Sequence, residues 1–218
     1  PTRRCSLVKV DRNVTTKDFR DLDGVLLFDK DLGASSNSAL QRVRRLLKAK
    51  RAGHTGTLDP LASGLMIFCF GRACRFAGEM LDAGKAYQAE LHLGVTTTTG
   101  DAEGDITSQR PLIFDEERFR SVLTAFHGAQ EQIPPMYSAL KLAGKPLYKY
   151  ARNGILIERK ARQIEIYKIE ILEINLPKIR LYVSCGKGTY IRTLVEDIGE
   201  AVGCGAHLSA LRRCNLGP

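Results

Sequence analysis

The sequence predicts an α+β fold in which helices flank a mainly antiparallel sheet, and three observations carry that prediction. Residues Lys85–Leu93 alternate, with Tyr87, Ala89, Leu91 and Leu93 on one side, which is the period of a half-buried strand. Ile164 to Ile174 and Ile179 to Cys185 read as two further strands around the turn Asn175-Leu176-Pro177. Leu40, Val43 and Leu47, and again Phe119, Val122, Leu123 and Phe126, recur at helical spacing. At 218 residues the chain is one large domain or two small ones, with room for a sizeable core. It contains no internal repeat, low-complexity tract or linker.

In chain order, residues 1–23 are polar and mixed, and read as a poorly ordered or peripheral arm. Gly24 to Lys30 is a short buried strand. Gly33-Ala34-Ser35-Ser36-Asn37 offers N-cap residues to the helix that follows. In that helix Ala39 and Leu46 flank the apolar stripe. Arg42, Arg44, Arg45, Lys48, Lys50 and Arg51 fill the rest as a basic ridge suited to phosphates. Gly53 to Gly64 is then a loop with three glycines, a proline, a histidine and one carboxylate. Pro60 fixes its own φ and biases Asp59 toward an extended backbone. Such loops carry function more often than the elements they join. The run Leu65 to Phe70 is a buried strand.

Arg72 to Leu81 reads as a helix with Ala73, Phe76, Ala77 and Met80 on one side and Gly84 as its C-terminal glycine. Thr96 to Asp105 is a polar loop whose spacing lacks the EF-hand pattern. Asp115 caps the next helix. Ile133 to Arg152 is basic, aromatic and broken by proline, the composition of an RNA contact. Gly186 to Leu194 leads into a helix over Thr193 to Val202.

The composition narrows the function classes. Hydrophobic residues make up 44% and charged residues 26%, as in a soluble globular protein. No apolar run is long enough to span a bilayer, and the N-terminal stretch has no signal-peptide core. The six cysteines form no C-x-x-C pair, so neither a zinc site nor a redox dithiol is suggested. A reducing cytoplasm is the expected compartment. The net charge of +9 and a pI near 9.4 favour an anionic partner, with nucleic acid as the leading candidate. There is no P-loop, no G-x-G-x-x-G and no His/Cys set at metal spacing.

The loop Gly53-His54-Thr55-Gly56-Thr57-Leu58-Asp59-Pro60-Leu61-Ala62-Ser63-Gly64-Leu65 resembles the catalytic motif of the bacterial TruB family, the tRNA pseudouridine-55 synthases. Lys85-Ala86-Tyr87 resembles the family's Lys-x-Tyr motif. Thr99-Gly100-Asp101 falls in its Thr-x-Asp-x-x-Gly region. Lys187-Gly188-Thr189-Tyr190-Ile191-Arg192 matches its Lys-Gly-Thr-Tyr-Ile-Arg motif, and His207 to Arg213 is again similar. Two positions depart from the pattern: the first strand ends Asp29-Lys30-Asp31 where the family usually has Asp-Lys-Pro, and Gly186 replaces a serine or proline.

The resemblance covers residues 24 to about 213. It implies the pseudouridine synthase fold: a large mixed, mainly antiparallel sheet with an insertion, about 130–163, that closes over RNA. It further implies a catalytic domain over 24–218 without the small RNA-binding C-terminal domain that full-length relatives carry.

The resemblance also assigns roles. Asp59 is the catalytic residue and Arg192 pairs with it through a two-pronged ion pair that keeps it charged. Tyr87 stacks on the target base and assists proton transfer. Asp101 helps hold Arg192, His54 fills the space of the flipped uridine, and Leu211 lines the base pocket. Lys30 and Tyr190 complete the substrate-binding set. The implied reaction isomerises the T-loop uridine of tRNA and needs no cofactor and no metal. The partner is a tRNA T-arm stem-loop, no membrane is involved, and the chain acts as a monomer. Two rivals remain at this level: a guide-RNA-dependent relative acting on ribosomal RNA, and a tRNA-folding helper without catalysis.

Overall fold

The structure, a computed structural model, describes residues 19–217. Most of the expected N-terminal arm, residues 1–18, lies outside the described residues. Its described end is peripheral and pinned. Arg20 bridges to Ala49, Asp21 pairs with Lys50 at 2.8 Å, and Asp23 accepts a 2.6 Å bond from the Arg72 backbone.

The chain runs β1 (Gly24–Lys30), α1 (Ser36–Leu46), β2 (Ala52–His54), β3 (Ala62–Phe70), a 3-10 helix (Gly71–Phe76), α2 (Ala77–Asp82) and β4 (Lys85–Leu93). It continues through β5 (Val95–Thr97), β6 (Ile106–Gln109), α3 (Glu116–Ala125), β7 (Gly128–Gln132), β8 (Lys141–Leu142), β9 (Lys145–Pro146) and α4 (Leu147–Ala151). It ends with β10 (Arg162–Asn175), β11 (Lys178–Cys185), α5 (Ile191–Val202) and β12 (Ala206–Leu216).

The local signals explain most of these elements. Ser35 caps α1, its hydroxyl accepting from Ser38 N at 3.1 Å. Asp115 caps α3 by accepting from the backbone N–H of Glu117 and Arg118. Gly203, at φ +103°, ends α5 in the left-handed conformation that a glycine adopts without strain.

Two expectations fail between β3 and β4. The stretch read as one helix from Arg72 is a 3-10 helix followed by a short α-helix, and Gly84 is not its cap. The chain leaves α2 in an extended conformation at Ala83. Gly84 is instead a point of close approach: an added Cβ would lie 3.4 Å from the Tyr167 ring. Gly53 and His54, read as loop, form β2.

The main sheet has the order β1-β3-β12-β4-β11-β10-β7, with β2 also paired to β3. Its pairings are antiparallel except for β12 and β3, which run parallel with Leu211 opposite Ala62 and Arg213 opposite Gly64. The sheet is therefore large, mixed and mainly antiparallel, as expected. One face carries the core. Ala39 and Leu40 of α1, Phe119 and Leu123 of α3, and Leu194, Val195 and Ile198 of α5 pack on Phe68, Leu91, Leu181 and Leu208. Removing one such buried aliphatic side chain from water contributes roughly 1.5–3 kcal/mol. The opposite face holds a small cluster, Ile67, Cys69 and Leu216, under the 3-10 helix and α2. No helix among the described residues is long and apolar enough to cross a membrane.

Candidate active site

The loop between β2 and β3 is clamped from beneath by the start of α1. Leu58 N donates to Ser36 Oγ at 2.7 Å, and that hydroxyl donates back to Leu58 O at 2.8 Å. Ser36 is 2% exposed, so both bonds lie in the interior. Gly33 N donates to Pro60 O at 2.8 Å and Ala62 N to Asp59 O at 3.0 Å. With Leu58 inserted in the core, Asp59 is left on a fixed backbone with its side chain 41% exposed.

Arg192, the second residue of α5, meets this carboxylate from below and is 5% exposed. Its Nη2 lies 3.1 Å from Asp59 Oδ2 and donates to Tyr137 O at 2.5 Å. Its Nη1 lies 3.3 Å from Asp101 Oδ2 and donates to Thr99 O at 3.0 Å. The expected two-pronged pairing with Asp59 is not what the structure shows. The fork is divided between two carboxylates and two carbonyls, because Asp101 and the insertion approach the same guanidinium. Asp101 is itself fixed: its Oδ1 accepts from Thr99 Oγ1 at 2.6 Å and from Glu103 N at 3.0 Å.

Burial pushes the Asp59 carboxyl above the usual carboxylate range, more than Arg192 pulls it down; Asp101 adds to the rise and Lys30 opposes it. Arg192 offsets a desolvation cost that it does not fully cancel.

Tyr87, in β4, is 7% exposed. Burial pushes its phenol up to about 12, while Arg213 beside it pulls the other way. Tyr87 is therefore a neutral phenol at neutral pH. Arg213 is 1% exposed and donates from Nε to Leu65 O at 2.7 Å. His54, opposite Phe68 in the β2–β3 pair, keeps a buried Nδ1 without a partner. Burial, then Arg213, lowers its pKa, so the ring is neutral at neutral pH.

The other expected residues take varied places. Lys30 is 1% exposed, and its ammonium donates to Asp31 O and Ala34 O at 3.0 and 2.7 Å. It is a buried charge that acts on Asp59. Tyr190 caps α5 and is gripped by Gln132, which accepts from Tyr190 N at 2.8 Å and donates to Tyr190 O at 3.1 Å. Leu211 lies in β12 between Ala62 and Ala89, two residues before Arg213.

Sequence reasoning missed the gripping role of Ser36, the Arg213 contact with Tyr87, and Glu196. Glu196 follows Arg192 by four residues in α5, a spacing that could have flagged it.

The basic ridge is only partly free. Arg44 donates to Ala49 O and Lys50 O and lies over the Phe19 ring, and Lys50 pairs with Asp21. Arg42, Arg45, Lys48 and Arg51 remain exposed. The 133–161 segment carries the β8–β9 hairpin and α4, with Lys145 over Tyr150 and Arg152 over Tyr148. Lys141 and Lys149 there are exposed.

The chain is similar to known proteins in sequence and in fold. The chain is 57% identical to tRNA pseudouridine synthase B of Burkholderia mallei over 91% of its length, and 57% identical to that of Cupriavidus metallidurans over 91%. It spans 66% and 64% of those relatives' own lengths. Among solved structures, it is similar to a chain of a Cbf5–Nop10–Gar1 complex, with TM-score 0.70 and 34% identity over 89% of this chain and 49% of that one. It is also similar to a chain of an H/ACA RNP bound to a substrate RNA containing 2′-deoxyuridine, with TM-score 0.66 and 30% identity over 97% of this chain and 56% of that one.

A model described as the tRNA pseudouridylate synthase B C-terminal domain matches residues 192–218, of which the described part is α5 and β12 of the same sheet. The model for the N-terminal domain of TruB family pseudouridylate synthases matches residues 44–191, and the chain belongs to that family.

Proposed function

We propose that this chain isomerises the T-loop uridine, position 55, of tRNA to pseudouridine, with Asp59 as the catalytic carboxylate. The observation that carries the reading is a part-exposed Asp59 on a doubly clamped loop, with Arg192 buried at its base and the Tyr87 ring nearby. The reaction breaks the N1–C1′ bond, turns the uracil and forms C5–C1′. The C5 proton leaves and N1 gains one, so atoms and electrons balance without a redox partner. A single ionised carboxylate suffices for covalent catalysis of that kind. A glycoside hydrolase would call for a second carboxylate free to act on the sugar, whereas Asp101 is buried and held by Thr99, Glu103 and Arg192.

Arg192 holds Asp59 in place and offsets its burial. Tyr87 offers a ring for the extruded base to stack on, since every base has a π-face. Neutral His54 enters the space the uridine leaves, and Leu211 lines the pocket. Tyr190 and Lys30 support the substrate side, Lys30 as a buried charge. The 130–163 insertion, with its cations and tyrosines, closes over the T-arm. The tRNA reading is favoured over the guide-RNA-dependent one because identity is 57% to the tRNA enzymes and 34% to the Cbf5 complex chain. The paired Asp59 and Arg192 speak against a folding helper without catalysis. A monomer in the cytoplasm, with the catalytic unit contained in 24–218, belongs to the same reading.

Incubation of the purified chain with a T-arm stem-loop, followed by nuclease digestion and nucleoside analysis, tests it. Pseudouridine at the T-loop position is expected. An unmodified stem-loop at saturating enzyme overturns the reading.

A further inference from the structure

The turn that presents Asp101 is closed on itself. Thr98 N donates to Asp105 O at 2.9 Å, Asp105 N to Thr98 Oγ1 at 3.1 Å, and Thr97 Oγ1 to Asp101 O at 2.7 Å. It is tied to β12, with Leu208 N donating to Gly100 O and Ala102 N to Leu208 O, both at 3.0 Å. Its other supports come from two side chains of α5: Arg192, which donates to Thr99 O at 3.0 Å, and Glu196. Glu196 stands one helical turn after Arg192, so the two side chains share a face of the helix. The Glu196 carboxyl rests directly against Gly100. A methyl group added there would lie 2.6 Å from its Cδ and Oε2. Gly100 also holds φ +72°, so glycine meets both demands at that point.

We infer that Glu196 is a positioning residue for Asp59, which by packing on Gly100 beside Arg192 sets how the Arg192 charge is shared between Asp59 and Asp101. The inference rests on the function proposed above. Arg192 is a single buried cation that already serves Asp59 and Asp101. An ionised Glu196 is a third claimant on it, and a neutral Glu196 leaves more of it to Asp59.

The charges that act on Glu196 are those of Arg192 and Asp197 in α5, Asp101 in the turn and Arg159 in the insertion. Burial, with Asp197 and Asp101, outweighs the two arginines and raises the carboxyl to about 7 from 4.5. Arg159 donates from Nη1 to Pro134 O at 2.9 Å and keeps a buried Nε without a partner. Tyr137, in the same segment, accepts from Arg192. The insertion and α5 therefore meet at this cluster.

Two measurements on Glu196→Gln test the inference. The first is kcat and KM on a T-arm stem-loop from about pH 5.5 to about pH 8.5. Wild type should lose rate through a transition near pH 7, where Glu196 ionises. The variant should lack that step and exceed wild type by about threefold at its alkaline end, with KM within about twofold. The second is stability against pH. The folded carboxyl titrates above its unfolded value, so between 4.5 and about 7 the native state holds the extra proton. Wild type should lose stability across that window as pH rises, and the variant should gain on it.

Superimposable rate profiles from two active enzymes, or a stability difference independent of pH, overturn the inference alone. A wild type that makes no pseudouridine at any pH overturns the functional reading and this inference with it. Should Glu196→Gln fail to fold, Glu196→Asp serves. Its shorter reach to Gly100 should lower kcat with KM held, and a normal kcat overturns the inference.

Discussion

Arg192 meets Asp59 with Nη2, 3.1 Å from Oδ2, while its Nη1 turns to Asp101. The guanidinium thus serves as the common floor of the site rather than as a private partner of the catalytic carboxylate. Its geometry separates the effects of removing each partner.

Asp59→Asn keeps the shape of the loop and removes the charge. Turnover should be lost while stem-loop affinity is largely kept, since phosphate contacts dominate binding to RNA. Single-turnover rates and filter binding check this. A rate within about tenfold of wild type, a loss of only ~1.4 kcal/mol, would overturn the assignment.

Arg192→Lys keeps a cation but cannot reach two carboxylates and two carbonyls at once. The Tyr137 and Thr99 carbonyls, or one carboxylate, are left unsatisfied in the interior, at about 1–3 kcal/mol for each group. Activity should fall far more than binding. Because Arg192 pulls the Asp59 pKa down, weakening it should move the acid limb of the rate profile to higher pH. An unshifted limb with normal kcat would show that Arg192 does not position Asp59.

Ser36→Ala removes both bonds that hold Leu58, which lies 22 positions from this first residue of α1. The expected cost is about 1–3 kcal/mol of stability, with a fall in kcat as Asp59 loses its fixed backbone. Denaturant melts and kinetics on one preparation read both. Loss of stability with kcat unchanged would confine Ser36 to folding.

Gly64→Ala places a methyl group 2.3 Å from Arg213 O at φ +104°, where β3 and β12 run parallel. Backbone strain of this kind costs about 1–3 kcal/mol before the clash is added. The melting temperature should drop by roughly 5–10 °C or more for a chain of this size. An unchanged melting temperature would mean the two strands can separate there without penalty.

Lys149 is exposed in the insertion, while Lys50 is held by Asp21. Lys149→Ala should reduce the salt slope of stem-loop binding by roughly 0.7–0.9, and Lys50→Ala should leave it nearly unchanged. Titrations at several salt concentrations compare them. A slope unchanged by Lys149→Ala takes the insertion out of the phosphate interface.

The elements legible in the sequence are those whose causes are local. The alternation of Tyr87, Ala89, Leu91 and Leu93 requires a strand with one face inside, and β4 is that strand. Ser35 and Asp115 cap helices with oxygens that reach backbone groups two or three residues on. The glycines and proline around Asp59 mark a constrained loop wherever they fold. The tertiary structure decided what depends on distance through space. The sequence carries no sign that β12 runs parallel to β3, or that Ser36 grips Leu58 across 22 positions. The division of the Arg192 fork arises because Asp101 and Tyr137 converge on it from separate segments. The engagement of Lys50 and the depth of Lys30 follow from neighbours just as remote. A residue type sets which bonds a side chain can make, but burial and the arrival of distant partners select among them, and both exist only once the chain has folded.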